Sequence, residues 1–409
     1  MLNKVWGAFF LVAFLVGVIK SLFLGDHEVW AAMVGASFDL AKTGFEISLG
    51  LTGIMCLWLG IMKLGEKGGA IDILARAFGP LLKRLFPGIP EGHPAMGSIV
   101  MNMAANMLGL DNAATPLGLK AMQELQEVNP KPEEASNDQI LFLVLNTSAV
   151  TVIPATIFVY RAQMGAADPT DVFIPMLIAT FCSTMVGLVV TAAVQKLKLW
   201  DPVILAYLGS LTLFVLGIIV YFSRLDRETM QAQSSILSNF VIFTLIVSFV
   251  LLAAWKRQPL YDVFVEGAKD GFKVAVGIIP YLVAMLVAIG VFRASGALDF
   301  LLDGVRWAVG GVGLDTRWVD GLPTALMRPL SGSGARGLML ETMEAHGADS
   351  FAGRLVSIIQ GSTETTFYIL AVYFGSVGIR KTRHALPCGL AADVTGAVAA
   401  ILLCYLFFG

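Results

Sequence analysis

Long apolar runs alternate with short polar connections along most of the chain, which is the pattern of a membrane protein that crosses the bilayer several times. A helix needs about 20 mainly apolar residues to cross the roughly 30 Å hydrocarbon core of a bilayer. Several runs reach or approach that length. The clear predicted spans are 9–24, 47–64, 172–194, 203–222, 240–255, 274–292 and 386–408.

Four shorter or less uniform stretches complete the pattern. Two of them, 140–160 and 355–374, are apolar but begin with polar residues. The other two, 71–86 and 298–309, are amphipathic and shorter than a full span. Each amphipathic stretch predicts a helix lying in the membrane interface, with a short buried core helix as the alternative.

The chain repeats part of its own sequence. Residues 44–46 and 271–273 both begin with Gly-Phe and open a predicted span, at an offset of 271 − 44 = 227. The same offset relates 69–72 to 296–299, and later matches have smaller offsets because the first copy has a longer acidic loop at 124–138. The predicted domains are a first repeat at 1–200, a connecting helix and loop at 201–230, and a second repeat at 231–409.

Charges are distributed differently in the connections of the two predicted copies. The first copy has acidic residues at 26–28 and at Asp168 and Asp171, where the second copy has basic residues at 256–257 and 380–384. Positively charged residues mark cytoplasmic connections. We therefore predict that the copies run in opposite directions through a bacterial plasma membrane, as the inverted repeats of many secondary transporters do.

Composition narrows the class of protein further. The 409 residues are 56% hydrophobic and 14% charged, the mean hydropathy is +0.77, and a soluble domain carries about 25% charged residues. These values exclude an ordinary cytosolic enzyme and a disordered chain, and a net charge of −2 provides no basic surface for nucleic acid. Without metal-ligand or disulfide spacing, four cysteines are predicted to be packing residues: Cys56, Cys182, Cys388 and Cys404.

Four polar segments interrupt the apolar sequence, two in each predicted copy. They are 102–118 and 146–154 in the first copy, and 328–337 and 360–366 in the second. Irregular backbone is tolerated at membrane depth only where protein or a watery cavity satisfies its polar groups. We therefore predict re-entrant or broken helices, whose free N–H and C=O groups can hold anionic groups or cations.

Acidic residues within these segments have two interpretations each. Glu364 lies in an otherwise apolar stretch, where an unpaired carboxylate costs several kcal/mol. It is predicted either to bind a substrate or coupling ion, or to form a structural ion pair with Arg328 or Arg336. Asp111 is predicted to be a ligand in the same way or to cap a helix. Asp393, within the last span, is a candidate proton relay, or a solvated residue at the membrane edge.

Asn102 and Asn106 are four residues apart and so share one helix face. They either line a cavity or hydrogen-bond between helices. The absence of P-loop, GxSxG and HExxH motifs predicts no catalytic residues, no metal site and no cofactor. The predicted substrate-binding residues are Asn102, Asn106, Asp111, Asn112, Thr115, Asn146, Thr147, Ser148, Ser331, Ser333, Arg336, Gln360, Ser362, Thr363 and Glu364.

These segments also carry a family resemblance. Residues 102–118 and 146–160 resemble bacterial spore maturation protein A, and 261–272 with 328–337 and 360–366 resemble spore maturation protein B. The whole chain thus resembles a natural fusion of the two. Each copy also resembles the nucleoside recognition or Gate domain that ferrous-iron transporters and concentrative nucleoside transporters share.

The resemblance implies a transport-like membrane role. Gln360, Thr363 and Glu364 are similar to a Gln-Thr-Glu element that contacts substrate in the nucleoside transporters. The first copy has Ala149 and Val150 at the corresponding positions, so this likeness applies to the second copy alone.

We expect a secondary permease for a small polar solute, with its site near the membrane midplane between inverted repeats. Its expected partners are the lipid bilayer and a small polar solute or ion, without nucleic acid and with a homo-oligomer as an option. One alternative is a non-transporting membrane assembly or spore-maturation component, in which the polar segments serve helix packing. A passive channel is another. Paired intramembrane polar segments are costly and favour the permease.

Overall fold

A computed structural model describes residues 2–148 and 151–409, with the side chains of 2, 3, 111–113 and 227 excepted. The described part is helical and contains no β-strand. It also includes a 3₁₀ turn, Arg317–Gly321. The helices are α1 (Leu2–Phe23), α2 (Glu28–Gly68), α3 (Ala70–Leu85), α4 (Pro94–Met107), α5 (Asp111–Glu127), α6 (Asn137–Thr147), α7 (Ala155–Gln163), α8 (Phe173–Gln195), α9 (Pro202–Ser223), α10 (Arg227–Trp255), α11 (Leu260–Ala294), α12 (Ala297–Gly311), α13 (Leu322–Met327), α14 (Gly332–His346), α15 (Phe351–Ser362), α16 (Thr366–Ser376) and α17 (Ala385–Phe408).

Eight segments within the described ranges are long and apolar enough to cross a membrane. Seven of them lie on the single helices α1, α2, α8, α9, α10, α11 and α17, and each predicted span falls on one of these helices. The eighth, Phe351–Ser376, contains the break between α15 and α16. The chain is therefore an all-α polytopic membrane protein, as the hydropathy pattern predicts.

Three helices start earlier than the apolar runs indicate. α2 begins at Glu28 rather than at residue 47, α10 at Arg227 rather than at 240, and α11 at Leu260 rather than at 274. The added turns carry charged residues, which an apolar run excludes, but no proline that would end a helix. At 41 residues, α2 is about 60 Å long, so it is longer than the roughly 30 Å hydrocarbon core.

α2 and α11 pack against each other in opposite directions. Leu40 on α2 meets Gly290 on α11, and Met55 further along α2 meets Gly271, which comes earlier on α11. Residue numbers therefore increase along one helix in the direction in which they decrease along the other. This contact explains the length of both helices, because each buries an apolar face of its partner over most of its length.

α8 and α17 form a second antiparallel pair. The Ser183 hydroxyl donates a hydrogen bond of 3.0 Å to the Ala392 carbonyl, and the Gln195 side chain lies 3.0 Å from the His384 ring nitrogen. Residue numbers again increase along one helix where they decrease along the other, so the two helices are antiparallel.

The two amphipathic stretches form α3 and α12, as predicted. Each follows a glycine in the left-handed conformation, Gly69 with φ +84° and Gly296 with φ +83°, and these residues separate α3 from α2 and α12 from α11. Phe300 and Trp307 on α12 are 79% and 83% exposed. Such large exposed apolar side chains disfavour the alternative of a buried core helix.

Gly271→Ala on α11 should destabilise the helix pair. A Cβ atom added at Gly271 would lie 2.6 Å from the backbone oxygen of Met55, which cannot move without shifting α2. Overpacking of this kind costs about 1–3 kcal/mol. Thermal unfolding in detergent should therefore show a lower melting temperature. The matched control is Gly277→Ala on the same helix, whose Cβ would meet nothing within 4 Å. Equal melting of the two variants would contradict this packing.

One group of ion pairs joins the end of α7 to the start of α15, and we call it the buried tie. Its members are Arg161, Asp171, Asp349 and Arg354. Arg161 is fully buried, and its guanidinium lies 2.8 Å from Asp171 and 3.1 Å from Asp349. Arg354 lies 2.7 Å from the other Asp171 oxygen. The Arg161 guanidinium also donates to the Ala348 carbonyl at 2.8 Å, so the buried tie includes a hydrogen bond to the backbone as well as ion pairs.

A second group, the exposed tie, joins the connection before α6 to the connection before α17. Arg380 and Glu133 lie 3.8 Å apart with side chains 80% and 68% exposed. The Ala135 N–H donates to the Lys381 carbonyl at 3.0 Å, and Arg383 donates to the Ala135 carbonyl at 2.9 Å. This tie rests mainly on backbone hydrogen bonds, because exposed ion pairs contribute little.

Candidate functional site

Four breaks between helices meet around one cavity of about 900 Å³. They are the α4–α5, α6–α7, α13–α14 and α15–α16 breaks, and they coincide with the four predicted polar segments. Each break supplies part of the wall, for example through Leu110, Pro154, Ser331 and Glu364 respectively. A volume of this size lies within the range of about 300–1,000 Å³ for small-molecule sites. The cavity is therefore the candidate functional site.

Eight of the predicted binding residues lie on the wall of this cavity. Three come from the first half of the chain and five from the second, so both halves contribute polar groups to one space. They are Asn106, Thr115, Asn146, Ser331, Ser333, Arg336, Gln360 and Glu364.

Five predicted residues do not lie on the wall. Asn102, Thr147, Ser148, Ser362 and Thr363 are each at most 2% exposed and lie behind it. The side chains of two more predicted residues, Asp111 and Asn112, lie outside the described part of the chain.

Asparagines connect the α4–α5 and α6–α7 breaks. Asn106 donates to the Asn102 side-chain oxygen at 3.2 Å and to that of Asn146 at 2.8 Å. Asn102 donates to the Ala114 carbonyl at 2.7 Å and Asn146 to the Phe142 carbonyl at 2.9 Å. The shared helix face predicted for Asn102 and Asn106 is present. Asn102 serves hydrogen bonding between helices, whereas Asn106 does so and also lines the cavity.

Arg328 organises the α15–α16 break. Its guanidinium donates twice to the Thr363 carbonyl, once at 2.8 Å from Nε, and lies 3.3 Å from the Glu364 carboxylate. The Arg328 side chain is 7% exposed, whereas that of Glu364 is 45% exposed. The Glu364 backbone N–H donates to the Thr147 carbonyl at 2.7 Å, which joins this break to the α6–α7 break. Glu364 thus has the predicted Arg328 partner and still presents a carboxylate to the cavity.

Each half of the chain also links its own two breaks through backbone. The Val152 N–H donates to the Met107 carbonyl at 2.8 Å, and the Phe367 N–H donates to the Pro329 carbonyl at 3.0 Å. These bonds satisfy groups that the helix ends leave unpaired. The four breaks are therefore held together by a connected set of hydrogen bonds.

A cationic part of the wall lies at the start of α14. Ser331 caps this helix by accepting from the Gly334 N–H at 3.0 Å, and its hydroxyl lies 3.3 Å from that of Ser333. One turn later, the Arg336 guanidinium carbon lies 5.3 Å from the centre of the Tyr160 ring. A helix N-terminus together with an arginine favours negative charge in this part of the cavity.

Gln360 adds an unsatisfied group to the same wall. The residue is 4% exposed, and its side-chain oxygen is buried without a hydrogen-bond partner. Buried polar groups are nearly always hydrogen-bonded. This oxygen is therefore available to a donor on a bound molecule.

The sequence prediction missed several residues of the wall. Lys63, Glu66 and Asp270 line the cavity, with Lys63 and Glu66 3.2 Å apart. The sequence does not show that the end of α2 and the first half of α11 face the cavity. The signal that could have found them is charge within otherwise apolar helices. The missed aromatic residues are Trp58, Tyr160, Phe367, Tyr368 and Tyr373.

Metal ligands do not gather at this site. Within the described ranges, no three His, Cys, Asp or Glu side chains come together in a way that could hold a metal ion. The four cysteines are free thiols.

Comparison with known proteins gives matches over most of the region just described. A family model described as "Nucleoside recognition", named Gate, matches residues 48–167 and again 275–380. Spore maturation protein B of Bacillus subtilis (strain 168) is 49% identical over 173 residues, which are 42% of this chain and 96% of that protein. Spore maturation protein A of the same organism is 37% identical over 190 residues, 46% of this chain and 93% of that protein. The resemblance predicted from the polar segments is confirmed.

Proposed function

The chain belongs to the nucleoside recognition (Gate) family, and from this premise we propose that it is a secondary permease for a small polar solute in a bacterial plasma membrane. The observation that carries the proposal is the cavity at which all four helix breaks meet. Polar backbone and charged side chains are expensive at membrane depth, and they concentrate where a protein handles a solute or an ion.

The arrangement of the helices supports two inverted repeats, 1–200 and 231–409, separated by 201–230. The family model matches the chain twice, and the starts of the two matches, 48 and 275, are 275 − 48 = 227 residues apart. α2 and α11 begin the two matched segments, and they pack antiparallel. Equivalent helices that run in opposite directions are what inverted repeats require, and alternating access arises from rocking such repeats against a fixed site.

The wall of the cavity supports a polar solute with both donors and acceptors. Arg336 and the start of α14 suit an acceptor or an anionic group. Glu364 and the unpartnered oxygen of Gln360 suit a donor. Tyr368, which is 59% exposed, offers a flat apolar surface to the rest of the molecule. The lipid bilayer and this solute are the partners we propose, without nucleic acid, and a homo-oligomer is compatible with the proposal.

A non-transporting role in spore maturation is the second candidate. The names of the two relatives favour it, since both name spore maturation and neither names an enzyme or a transporter. In that case the polar segments would serve helix packing, and the cavity would bind no solute.

A ligand screen on the purified protein in detergent separates the two candidates. The panel holds nucleosides, amino acids, small peptides, carboxylates and divalent cations. A ligand present at about a hundred times its Kd should add about 2.7 kcal/mol of stability, which raises the melting temperature. Glu364→Gln should abolish that shift, because the α15–α16 break loses its carboxylate while the Arg328 bonds to the Thr363 carbonyl remain.

The matched control is Glu344→Gln, the same chemical change at an exposed position of α14 outside this cavity. It should keep the ligand-induced shift. No shift with any member of the panel, in a wild-type protein that melts cooperatively, would support the non-transporting role. A shift in wild type that Glu364→Gln retains would place the bound solute elsewhere.

A further inference from the structure

A second polar cluster lies behind the cavity wall, against α17. The side chains of Asp393 and Thr366 form its centre, with the Thr366 hydroxyl donating to one Asp393 oxygen at 2.6 Å. Two glycines of α17 allow residues of the α15–α16 break to pack closely against this helix. A Cβ atom at Gly389 would lie 2.8 Å from the Thr366 side chain, and one at Gly396 would lie 2.5 Å from that of Thr363.

Asp393 is 5% exposed, and its second oxygen is buried without a hydrogen-bond partner. The hydroxyls that lie against Gly389 and Gly396, one helical turn to either side of Asp393, use their hydrogens elsewhere. Thr147 donates to the Val144 carbonyl, Ser362 to the Ile359 carbonyl, and Ser183 of α8 to the Ala392 carbonyl. An ionised carboxylate with an orphaned oxygen at membrane depth costs several kcal/mol.

A proton satisfies this oxygen better than a metal cation does. Asp393 does not line the cavity, and no metal-binding group of acidic or sulfur ligands forms among the described residues. A proton needs no added space, and it removes the buried negative charge that makes the ionised carboxylate costly.

The cluster is connected to the cavity wall through a short stretch of backbone. Thr366 is the first residue of α16, and Glu364 on the wall lies two residues before it. Arg328 and Glu364 are the charged groups that act on Asp393, while α6, α8 and α15 contribute hydroxyls. Loss of a proton from Asp393 would place a second carboxylate near Arg328, in competition with Glu364.

We propose that Asp393 is a proton-binding site whose occupancy is coupled to the conformation of the α15–α16 break and so of Glu364. That this coupling drives solute movement rests on the function proposed above. Coupling between two sites is reciprocal. If a proton on Asp393 changes the affinity of Glu364 for a ligand by some factor, that ligand changes the proton affinity of Asp393 by the same factor.

Infrared difference spectroscopy of the purified protein tests this site with the proton itself as the probe. Wild type should show a protonated carboxyl C=O band that shifts in D₂O and disappears as the pH rises. Asp393→Asn should lack the band, and Asp262→Asn, an exposed aspartate of α11, should retain it. If the Asn variant does not fold, Asp393→Glu should keep a band at a changed frequency.

The coupling is tested by the same titration in Glu364→Gln. The pH midpoint of the Asp393 band should move in that variant and stay unchanged in Glu344→Gln. No band in wild type, a band that survives Asp393→Asn, or a midpoint that Glu364→Gln leaves in place would each overturn the proposal. The absence of any ligand in the thermal screen would count against the permease alone, because this titration requires no solute.

Discussion

Arg328→Gln should destabilise the protein by about 1–3 kcal/mol, because the buried Thr363 carbonyl loses its donor and the half-exposed Glu364 carboxylate loses its partner. Arg328 is buried, and its guanidinium holds both the Thr363 carbonyl and the Glu364 carboxylate. A glutamine cannot supply the positive charge or reach both groups. Thermal unfolding in detergent should show a lower melting temperature, by roughly the lost free energy divided by the entropy of unfolding.

Two further variants determine how much of the lost stability comes from the Glu364 carboxylate and how much from the Thr363 carbonyl. Arg328→Lys keeps the charge but not the planar fork, so it should recover only part of the stability. The double variant Arg328→Gln with Glu364→Gln should lose less than the sum of the single variants, because the unpaired carboxylate is gone. Additive losses would show that the pair is not coupled, and that Arg328 acts through the Thr363 carbonyl alone.

Arg161→Met should cost more, about 3–5 kcal/mol, because it breaks the buried tie. Methionine fills much of the space but leaves the Ala348 carbonyl without its donor and Asp349 without its nearest cation. Unfolding in detergent measures the loss. Since the tie joins α7 to α15, the variant should also make the chain between α7 and α8 more susceptible to protease.

The exposed tie provides the matched control for this experiment. Arg380→Met removes an arginine that likewise joins the two halves of the chain, but at a position where water screens the pair with Glu133. Its melting temperature should equal that of wild type. Equal losses from Arg161→Met and Arg380→Met would mean that burial does not distinguish the two ties.

Local patterns in the sequence were sufficient for the membrane spans and for the positions of the breaks. Apolar length alone indicates a span, because the thickness of the bilayer fixes it. Glycine, proline and short polar residues within apolar sequence indicate a break for an equally local reason, since such residues leave backbone groups that only a protein interior or water can satisfy. Glu364 was recognisable in the same way, as a charge in an apolar stretch.

The limits of α2 and α11 were not recognisable, because the partly polar first turns of each helix are stabilised by the later turns of the other rather than by their own composition. Contacts such as that of Gly271 with Met55 join residues more than 200 positions apart. A hydropathy pattern carries no information about such a partner. The family resemblance in the polar segments was visible in the sequence, whereas the antiparallel pairing of α2 with α11 is visible only in the structure.

The sequence by itself thus determined that this is a polytopic helical membrane protein with four interrupted helices and polar residues concentrated at the interruptions. Only the tertiary structure decided which of those residues face the cavity. Asn106 and Glu364 do, whereas Thr147 and Thr363, in the same polar segments, lie behind the wall with Asp393. The physical reason is that a broken helix turns its side chains in directions set by its neighbours, through bonds such as that from the Glu364 N–H to the Thr147 carbonyl.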